Sequence, residues 1–493
     1  YAMHFVYSGN FIGQVERCQF DTVRMVMGIN PDEFCWNLKA DDEFQAPEVV
    51  MVYSAEGLGE MTRSYHAFYR RHMIRSPYNH KKRPILINNW EATYFDFDTD
   101  KLLDIAREAK KDGIEMLVMD DGWFGKRNKD DSSLGDWVVN EEKIKGGLKN
   151  LVDKVNEIGL EFGIWFEPEM ISPDSDLFRA HPDWMIQIPG REPALSRAQG
   201  VLDLSNPEVE EYAYESVARI LRSAPIMYVK WDMNRQLSDL GSAYLSKEHG
   251  RELLHRYVLA VYRMQERLIK EFPDLLLENC SGGGGRFDPG MLYYAPQGWT
   301  SDDTDAIERL KIQYGTSMVY PVSCMGSHVS ASPNHQTNRV TPIETRADVA
   351  YFGTFGYELD LLKLGEEDKA EIRRQIAFMK EKRDLIQKGT FYRLKSPFEG
   401  NETAWMIVSE DQKKALVGYY RVMQPVNVGF KRLKLKGLKE DTCYKVSGYA
   451  YDCYGDELMQ VGMILSDSAS GVWKKGVNDK GDFQAEVFEI VAV

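Results

Sequence analysis

Cysteine is scarce in this chain and follows no pattern. Six residues (Cys18, Cys35, Cys280, Cys324, Cys443 and Cys453) are spread over 493, with no CxxC pair and no zinc-type spacing. That excludes a disulfide framework, argues against structural zinc and points to free thiols in a reducing compartment, the cytoplasm. Cationic side chains are also short. The 61 Lys and Arg stand against 76 Asp and Glu, a formal charge of −15. Such a chain is a poor partner for nucleic acid or for an anionic membrane surface. No apolar run approaches the ~20 residues of a membrane span. Internal repeats and low-complexity segments are absent. The chain opens on Tyr1 rather than methionine, and Met3 to Phe5 show no basic-then-apolar signal pattern.

Aromatic residues are plentiful, at 12% with 10 Trp and 26 Tyr. They stack on sugar rings, but they also fill cores. A length of 493 residues exceeds one ordinary core and implies two or three domains. Residues 1–80 read as strands, turns and a linker helix. The stretch Asp21 to Asn30 alternates loosely at period two, like the interior of a sheet whose upstream part is missing. Residues 81–388 alternate strand and helix. Strands are predicted at 83–90, 114–121, 161–167, 226–232, 275–280, 298–302, 319–324 and 347–355, with helices between them. Eight such strands in about 300 residues imply a parallel (β/α)8 barrel. Residues 389–493 carry short strands separated by turns near Gly437, Gly448 and Gly481, which suggests an antiparallel sandwich.

The richest segment is Tyr228-Val229-Lys230-Trp231-Asp232-Met233-Asn234-Arg235. An apolar run ends abruptly in a lysine, a tryptophan and a carboxylate. Buried parallel strands read as apolar runs, and barrel chemistry gathers at strand C-termini. Lys230 and Asp232, two apart, point to one side, and the lysine is expected to keep the aspartate ionised. A buried structural ion pair is the alternative. The first six predicted strands all end in polar or aromatic residues. They run through Asn89-Trp90, Asp120-Asp121, Trp165-Phe166-Glu167, Lys230-Trp231-Asp232, Glu278-Asn279-Cys280 and Trp299-Thr300-Ser301-Asp302. One rim would then carry carboxylates for hydroxyls and indoles for apolar sugar faces.

Competing chemistries fit less well. Gly282 to Gly285 lacks the Gly-Lys-Ser/Thr ending of a phosphate loop. Asp120 and Asp121, with Glu167 as third ligand, are a conceivable cation site, but neighbours on a strand point opposite ways. Cys280 has no adjacent histidine to activate it. His328 and His335 read as loop or structural residues. Two carboxylates on non-adjacent strands suit glycoside hydrolysis. Asp232 would be the ionised partner and Asp302 the protonated one, its pKa raised by Asp303 and Asp305. Asp305 or Thr304 also suits the cap of a helix opening at Ile307.

At these residues the chain resembles glycoside hydrolase family 36, the large bacterial α-galactosidases. The matching stretches are LVMDDGWFG (117–125), GIWFEPEM (163–170), YVKWDMNR (228–235), ENCSGGGGRFDPGMLYY (278–294) and WTSDDTDAIERLKIQYGTS (299–317). The resemblance runs from the tail of the family's N-terminal β-sandwich through barrel and C-terminal sandwich. It implies a retaining enzyme with Asp232 as nucleophile and Asp302 as general acid/base, needing neither metal nor cofactor. It implies that Asp120 and Asp121 bind galactose hydroxyls. Trp90, Trp165, Arg197, Lys230, Trp231, Asn234 and Cys280 would line the sugar subsite. It also implies α-galactosides such as melibiose and raffinose as substrates and a homo-oligomer, a tetramer, for the full-length protein. An α-N-acetylgalactosaminidase and a non-catalytic sugar-binding protein are the alternatives.

Overall fold

The computed structural model describes residues 1–426, 431–465 and 481–493. Its centre is a closed barrel of eight parallel strands in sequence order. They are β1 (Leu86–Asn88), β2 (Met116–Met119), β3 (Glu161–Phe166), β4 (Tyr228–Trp231), β5 (Leu276–Asn279), β6 (Gln297–Trp299), β7 (Met325–Ser330) and β8 (Thr354–Glu358). Ile87, Leu117, Ile164, Val229 and Leu277 are all buried, as strands enclosed on both faces require. Lys230 on β4 stands level with Trp165 on β3 and Glu278 on β5. That register puts three chemically distinct side chains at one height near the C-terminal mouth.

The helices that wrap the barrel carry their own start and stop signals. Asp98 accepts from the Lys101 amide to open helix Thr99–Asp112, and Gly113 closes it with φ 96°. Asn206 accepts from the Glu208 amide ahead of Pro207 to open helix Pro207–Ser223. Each such cap is worth about 1 kcal/mol. Val209, Ala213, Val217 and Leu221 of the second helix recur at four-residue spacing and are buried.

Two predicted strands were misplaced. Val319 to Cys324 is not a strand; β7 follows it, at Met325–Ser330. Residues Ile343–Ala350 form a helix, and β8 begins at Thr354. The reason is local. The true β7, Met-Gly-Ser-His-Val-Ser, has a polar inner face and lacks an apolar run. The apolar Ala347, Val349 and Ala350 are buried on a helix instead.

Ala2–Val6 pairs with Glu48–Val52, while the hairpin Phe11–Arg17/Val23–Ile29 projects with most of its side chains exposed. After helix Glu366–Lys388, six antiparallel strands form one sheet in the order 390–395, 402–408, 414–421, 484–492, 443–446 and 452–454. A two-stranded sheet, Lys431–Leu433 with Met463–Leu465, packs on it through Leu433, Met463 and Leu465 against Met406, Val417 and Phe488. Among the described residues no helix is long and apolar enough to cross a membrane.

Candidate active site

The strand ends of β1, β2, β3, β4, β6 and β8 meet around a cavity of about 230 Å3 at the C-terminal mouth of the barrel. Trp90, Asp120, Asp121, Trp165, Arg197, Lys230, Asp232, Asn234 and Asp302 all line it, with Glu91, Trp299, Thr304, His335, Gln336 and Glu358. A larger cavity, about 1000 Å3, opens at the opposite end of the barrel. There the charged groups are engaged with one another: Lys81 with Asp274 at 2.7 Å and Arg383 with Glu115 at 2.6 Å. Barrel chemistry belongs to the C-terminal face, so the smaller cavity is the candidate site.

Asp232 directly follows β4 and is 5% exposed. Its Oδ2 accepts from Trp165 Nε1 at 3.0 Å and from Asn234 Nδ2 at 2.8 Å. Its Oδ1 accepts from the Met233 amide at 2.9 Å and the Gly282 amide at 3.3 Å. The carboxylate is thus held by four uncharged donors. Lys230 does not pair with it, contrary to expectation. Lys230 Nζ lies 3.0 Å from Asp120 Oδ2. Burial works against charge on Lys230, but Asp120 and then the carboxylates of Glu358 and Asp232 keep it firmly protonated.

Asp302 follows β6 at the cavity mouth, ringed by protein on most sides yet open to solvent. Desolvation and then the charge of Asp232 push its carboxyl up to about 6, against the pull of Lys230 and Arg197. The expected cause, Asp303 and Asp305, is wrong. Asp305 caps helix Ala306–Thr316, accepting from the Ile307 and Glu308 amides, and pairs with Arg339. Its charge is already compensated.

The glycine run explains how the two aspartates come together. Gly283, at φ 84°, packs so tightly on the Ser301–Asp302 backbone that a Cβ would lie 2.6 Å from the Asp302 nitrogen. Only glycine fits there. One residue earlier, the Gly282 amide reaches Asp232. The loop after β5 therefore bridges the ends of β4 and β6.

Asp120 and Asp121 both reach the cavity because β2 ends at Met119 and the chain turns at Gly122, φ 107°. Asp120 Oδ2 also accepts from Asn88 Nδ2 at 2.6 Å. Asp121 receives a two-pronged bond from buried Arg127, with Nε to Oδ1 at 3.0 Å and Nη2 to Oδ2 at 2.8 Å. With Lys230 and Arg127 in place, the Asp120–Asp121–Glu167 cation site does not fit. Glu167 is itself engaged, its Oε1 accepting from the Asn234 amide at 2.5 Å and from Gln199 Nε2 at 3.0 Å.

Trp231 is a correction. It is fully buried and points away from the cavity, donating Nε1 to Glu169 at 2.6 Å. Alternation along β4 sends Lys230 and Asp232 inward and their intervening neighbour outward. Glu169 also holds Arg286 at 2.6 Å and the Tyr257 hydroxyl at 2.5 Å, making a buried brace behind the strand. Cys280 is buried beside Asp232, Lys230 and Asp302 without forming the cavity wall, and burial followed by the charge of Asp232 keeps its thiol protonated. Arg197 sits on an exposed loop at φ 53°, tethered through Gln199 to Glu167. Asn234 lines the cavity with its amide nitrogen on Asp232, and its Oδ1 is buried without a hydrogen-bond partner among the described residues.

Sequence reasoning missed Glu91, His335, Gln336 and Glu358. Glu91 follows Trp90 directly; it accepts from Thr304 Oγ1 at 2.6 Å and the Ala331 amide at 3.0 Å. Glu358 ends β8, the strand that was misplaced, and pairs with His328 at 3.2 Å. His328 therefore belongs to a strand. His335 is a loop residue beside Glu91 at 3.4 Å.

Carboxylates and indoles thus gather in one polar cavity at the C-terminal mouth of a parallel barrel, an arrangement suited to holding a sugar. Family models agree in detail. Residues 43–389 match Melibiase, residues 1–39 the glycosyl hydrolase family 36 N-terminal domain, and residues 402–490 the family 36 C-terminal domain. The chain belongs to glycosyl hydrolase family 36. It is 54% identical over 478 residues to the α-galactosidase AgaA of Geobacillus stearothermophilus, covering 96% of this chain and 65% of that protein. It is 52% identical to the bifunctional α-galactosidase/sucrose kinase AgaSK of Mediterraneibacter gnavus, covering 94% of this chain and 49% of that protein. The chain thus spans from about half to about two thirds of these relatives. The crystal structure of AgaA superposes with a TM-score of 0.96 at 52% identity, covering all of this chain and 67% of that one. A variant of AgaA in complex with raffinose matches equally well. The α-galactosidase structure from Lactobacillus brevis gives 0.96 at 46% identity, covering all of this chain and 66% of that one.

Proposed function

We propose that the protein is a retaining α-galactosidase that removes terminal α-galactose from oligosaccharides such as melibiose and raffinose. The observation that carries this reading is the pairing of two unlike carboxyls in one cavity. Asp232 has four neutral donors and no cation among the described residues, which suits an ionised nucleophile. The Asp302 carboxyl is pushed up to about 6 and so still carries a proton when the substrate binds in mildly acidic solution. In the first step Asp232 attacks the anomeric carbon while Asp302 donates its proton to the departing oxygen, leaving a galactosyl ester on Asp232. In the second, Asp302 takes a proton from water, the water oxygen attacks the same carbon, and the ester bond to Asp232 breaks. The departing group leaves from the face that water later attacks, so galactose is released in the α configuration. Asp120 and Asp121 present acceptors for sugar hydroxyls, and Trp90 and Trp165 present indoles. AgaA, at 54% identity, is named an α-galactosidase, and its raffinose complex supports oligosaccharides as the substrate class. Six free cysteines fit a cytoplasmic setting, and tetramer formation by the longer protein belongs to the same proposal.

The test is to compare nitrophenyl α-galactoside with nitrophenyl α-N-acetylgalactosaminide. The proposal expects rapid cleavage of the first and a kcat/KM lower by two orders of magnitude or more for the second. The reverse preference would assign the site to N-acetylgalactosamine. Binding of galactose without cleavage of either compound would leave a sugar-binding protein.

A further inference from the structure

Glu169 lies just beyond β3 and is fully buried. Neither it nor its partners Trp231, Tyr257 and Arg286 line the cavity. Its two carboxylate oxygens nonetheless take four bonds. Oε1 accepts from Trp231 Nε1 and from Arg286 Nη2, each at 2.6 Å. Oε2 accepts from the Tyr257 hydroxyl at 2.5 Å and from Arg286 Nη1 at 2.8 Å. Its carbonyl accepts from the Leu202 amide at 2.9 Å. Burial alone would raise the carboxyl, but the charge of Arg286 and then the bonds from Arg286, Trp231 and Tyr257 hold it below the ordinary glutamate value.

Two of these partners lead straight to the catalytic carboxyls. Trp231 is the last residue of β4 and the immediate neighbour of Asp232. Arg286 closes the glycine loop after β5, where its carbonyl accepts from Asn279 Nδ2 at 2.6 Å. That loop touches both sides of the site. Ser281 Oγ donates to the Met233 carbonyl at 2.8 Å, the Gly282 amide donates to Asp232, and the Gly283 backbone pairs with Ser301 beside Asp302. Stability does not account for so polar a brace. A buried ion pair often holds a fold no better than apolar side chains of similar volume, because desolvation offsets the attraction. What the forked guanidinium–carboxylate pair adds is direction.

We propose that Glu169 is a positioning residue for both catalytic carboxyls. It locks the end of β4 to the far end of the β5 loop, and so sets how Asp232 and Asp302 face each other across the cavity. The inference rests on the proposed α-galactosidase reading.

Three variants test it on nitrophenyl α-galactoside. Glu169→Gln removes the charge that holds the fork. Arg286→Lys keeps the charge and loses the fork, so it decides the matter if Glu169→Gln fails to fold. Tyr257→Phe removes one bond to Glu169 from helix Leu253–Glu271, which lends no residue to the cavity. In the first two, kcat should fall roughly ten- to a hundredfold with KM within about threefold of the parent, the signature of misplaced reacting groups. The alkaline limb of kcat/KM should also move to lower pH. Asp302 faces Asp232 and Lys230 on β4, Cys280 after β5, Arg197 beyond β3, Glu358 on β8 and Arg309 on its own following helix. Burial is the largest influence raising its carboxyl, and a loosened loop admits water. Tyr257→Phe should melt lower yet keep kcat and the limb. An unchanged kcat or an unmoved limb in Arg286→Lys would overturn the positioning role. So would a loss of kcat in Tyr257→Phe equal to that in the other two. A parent enzyme that cleaves no α-galactoside would instead overturn the α-galactosidase reading, and the positioning role with it.

Discussion

Lys230 Nζ lies 3.0 Å from Asp120 Oδ2 and leaves Asp232, two residues along the same chain segment, to neutral donors. The cation neutralises a carboxylate proposed to bind sugar hydroxyls, not the one proposed to attack. An ion pair would bury the negative charge of Asp232 in a local partner. Indole and amide donors orient it while leaving the charge available for the transition state, where positive charge develops at the anomeric carbon.

The same arrangement governs the specificity aspartates. Arg127, 2% exposed, has its guanidinium on Asp121. Breaking one half of a buried pair costs about 3–5 kcal/mol. Asp121→Ala is therefore predicted to lower the melting temperature measurably while kcat/KM for α-galactosides falls a hundredfold or more. Asp121→Asn should recover part of the stability and little of the activity. Differential scanning calorimetry beside steady-state kinetics decides it. An unchanged melting temperature in Asp121→Ala would mean that Arg127 finds another partner.

Asp302 sets the alkaline limb of activity. Its carboxyl is raised from 3.8 to about 6, so it keeps its proton at pH 5 and has lost it by pH 7. A general acid must be protonated in the free enzyme, so kcat/KM should decline as pH rises through about 6. Asp302→Asn should remove that limb. It should also slow melibiose by ~10²–10⁴-fold while a dinitrophenyl galactoside loses far less, since an activated phenol needs little acid help. Equal losses on both substrates would assign the proton donor elsewhere.

Glu167 and Glu169 share one strand end and behave oppositely. Glu169 faces Arg286 at 2.6 Å, whereas Glu167 makes no ion pair among the described residues. Burial and then the charge of Asp232 push Glu167 up to about 8. At pH 7 it is protonated, and its Oε1 positions the Asn234 amide and the Gln199 side chain. Glu167→Gln is neutral and keeps an acceptor oxygen. It should hold kcat/KM at pH 7 within about threefold of the parent. Glu167→Ala should lose at least tenfold, and Glu169→Gln should lose stability by stranding Arg286. A pH profile of Glu167→Gln that falls steeply at neutral pH would show that the carboxylate, not its neutral form, is required.

Much of this was legible in the chain. An apolar run ending in Lys-Trp-Asp marks a barrel strand and its mouth, and period-two alternation places Asp232 inward. The same alternation applied one residue back puts Trp231 outside, so that error was avoidable. The polar β7 could not be found by searching for apolar runs, because Ser327 bonds Gln313 of the covering helix and His328 faces Glu358 on the barrel side. With it went β8 and Glu358. The partners of Lys230 and Glu91 lie beyond reach for another reason. Lys230 and Asp120 are 110 residues apart, and Glu91 and Thr304 are 213 apart. Such contacts exist only once the barrel has closed. Local charge counting therefore paired Lys230 with Asp232 and blamed Asp303 and Asp305 for the state of Asp302.

The central claim is that Asp232 attacks the anomeric carbon. Replacing it with alanine removes the nucleophile and opens the face from which it acts. Asp232→Ala incubated with an activated α-galactoside and sodium azide should show almost no turnover without azide. With azide, turnover should return and yield β-galactosyl azide, identified by proton NMR from its anomeric coupling. Parent-like hydrolysis by Asp232→Ala, or an azide product of α configuration, would contradict the assignment.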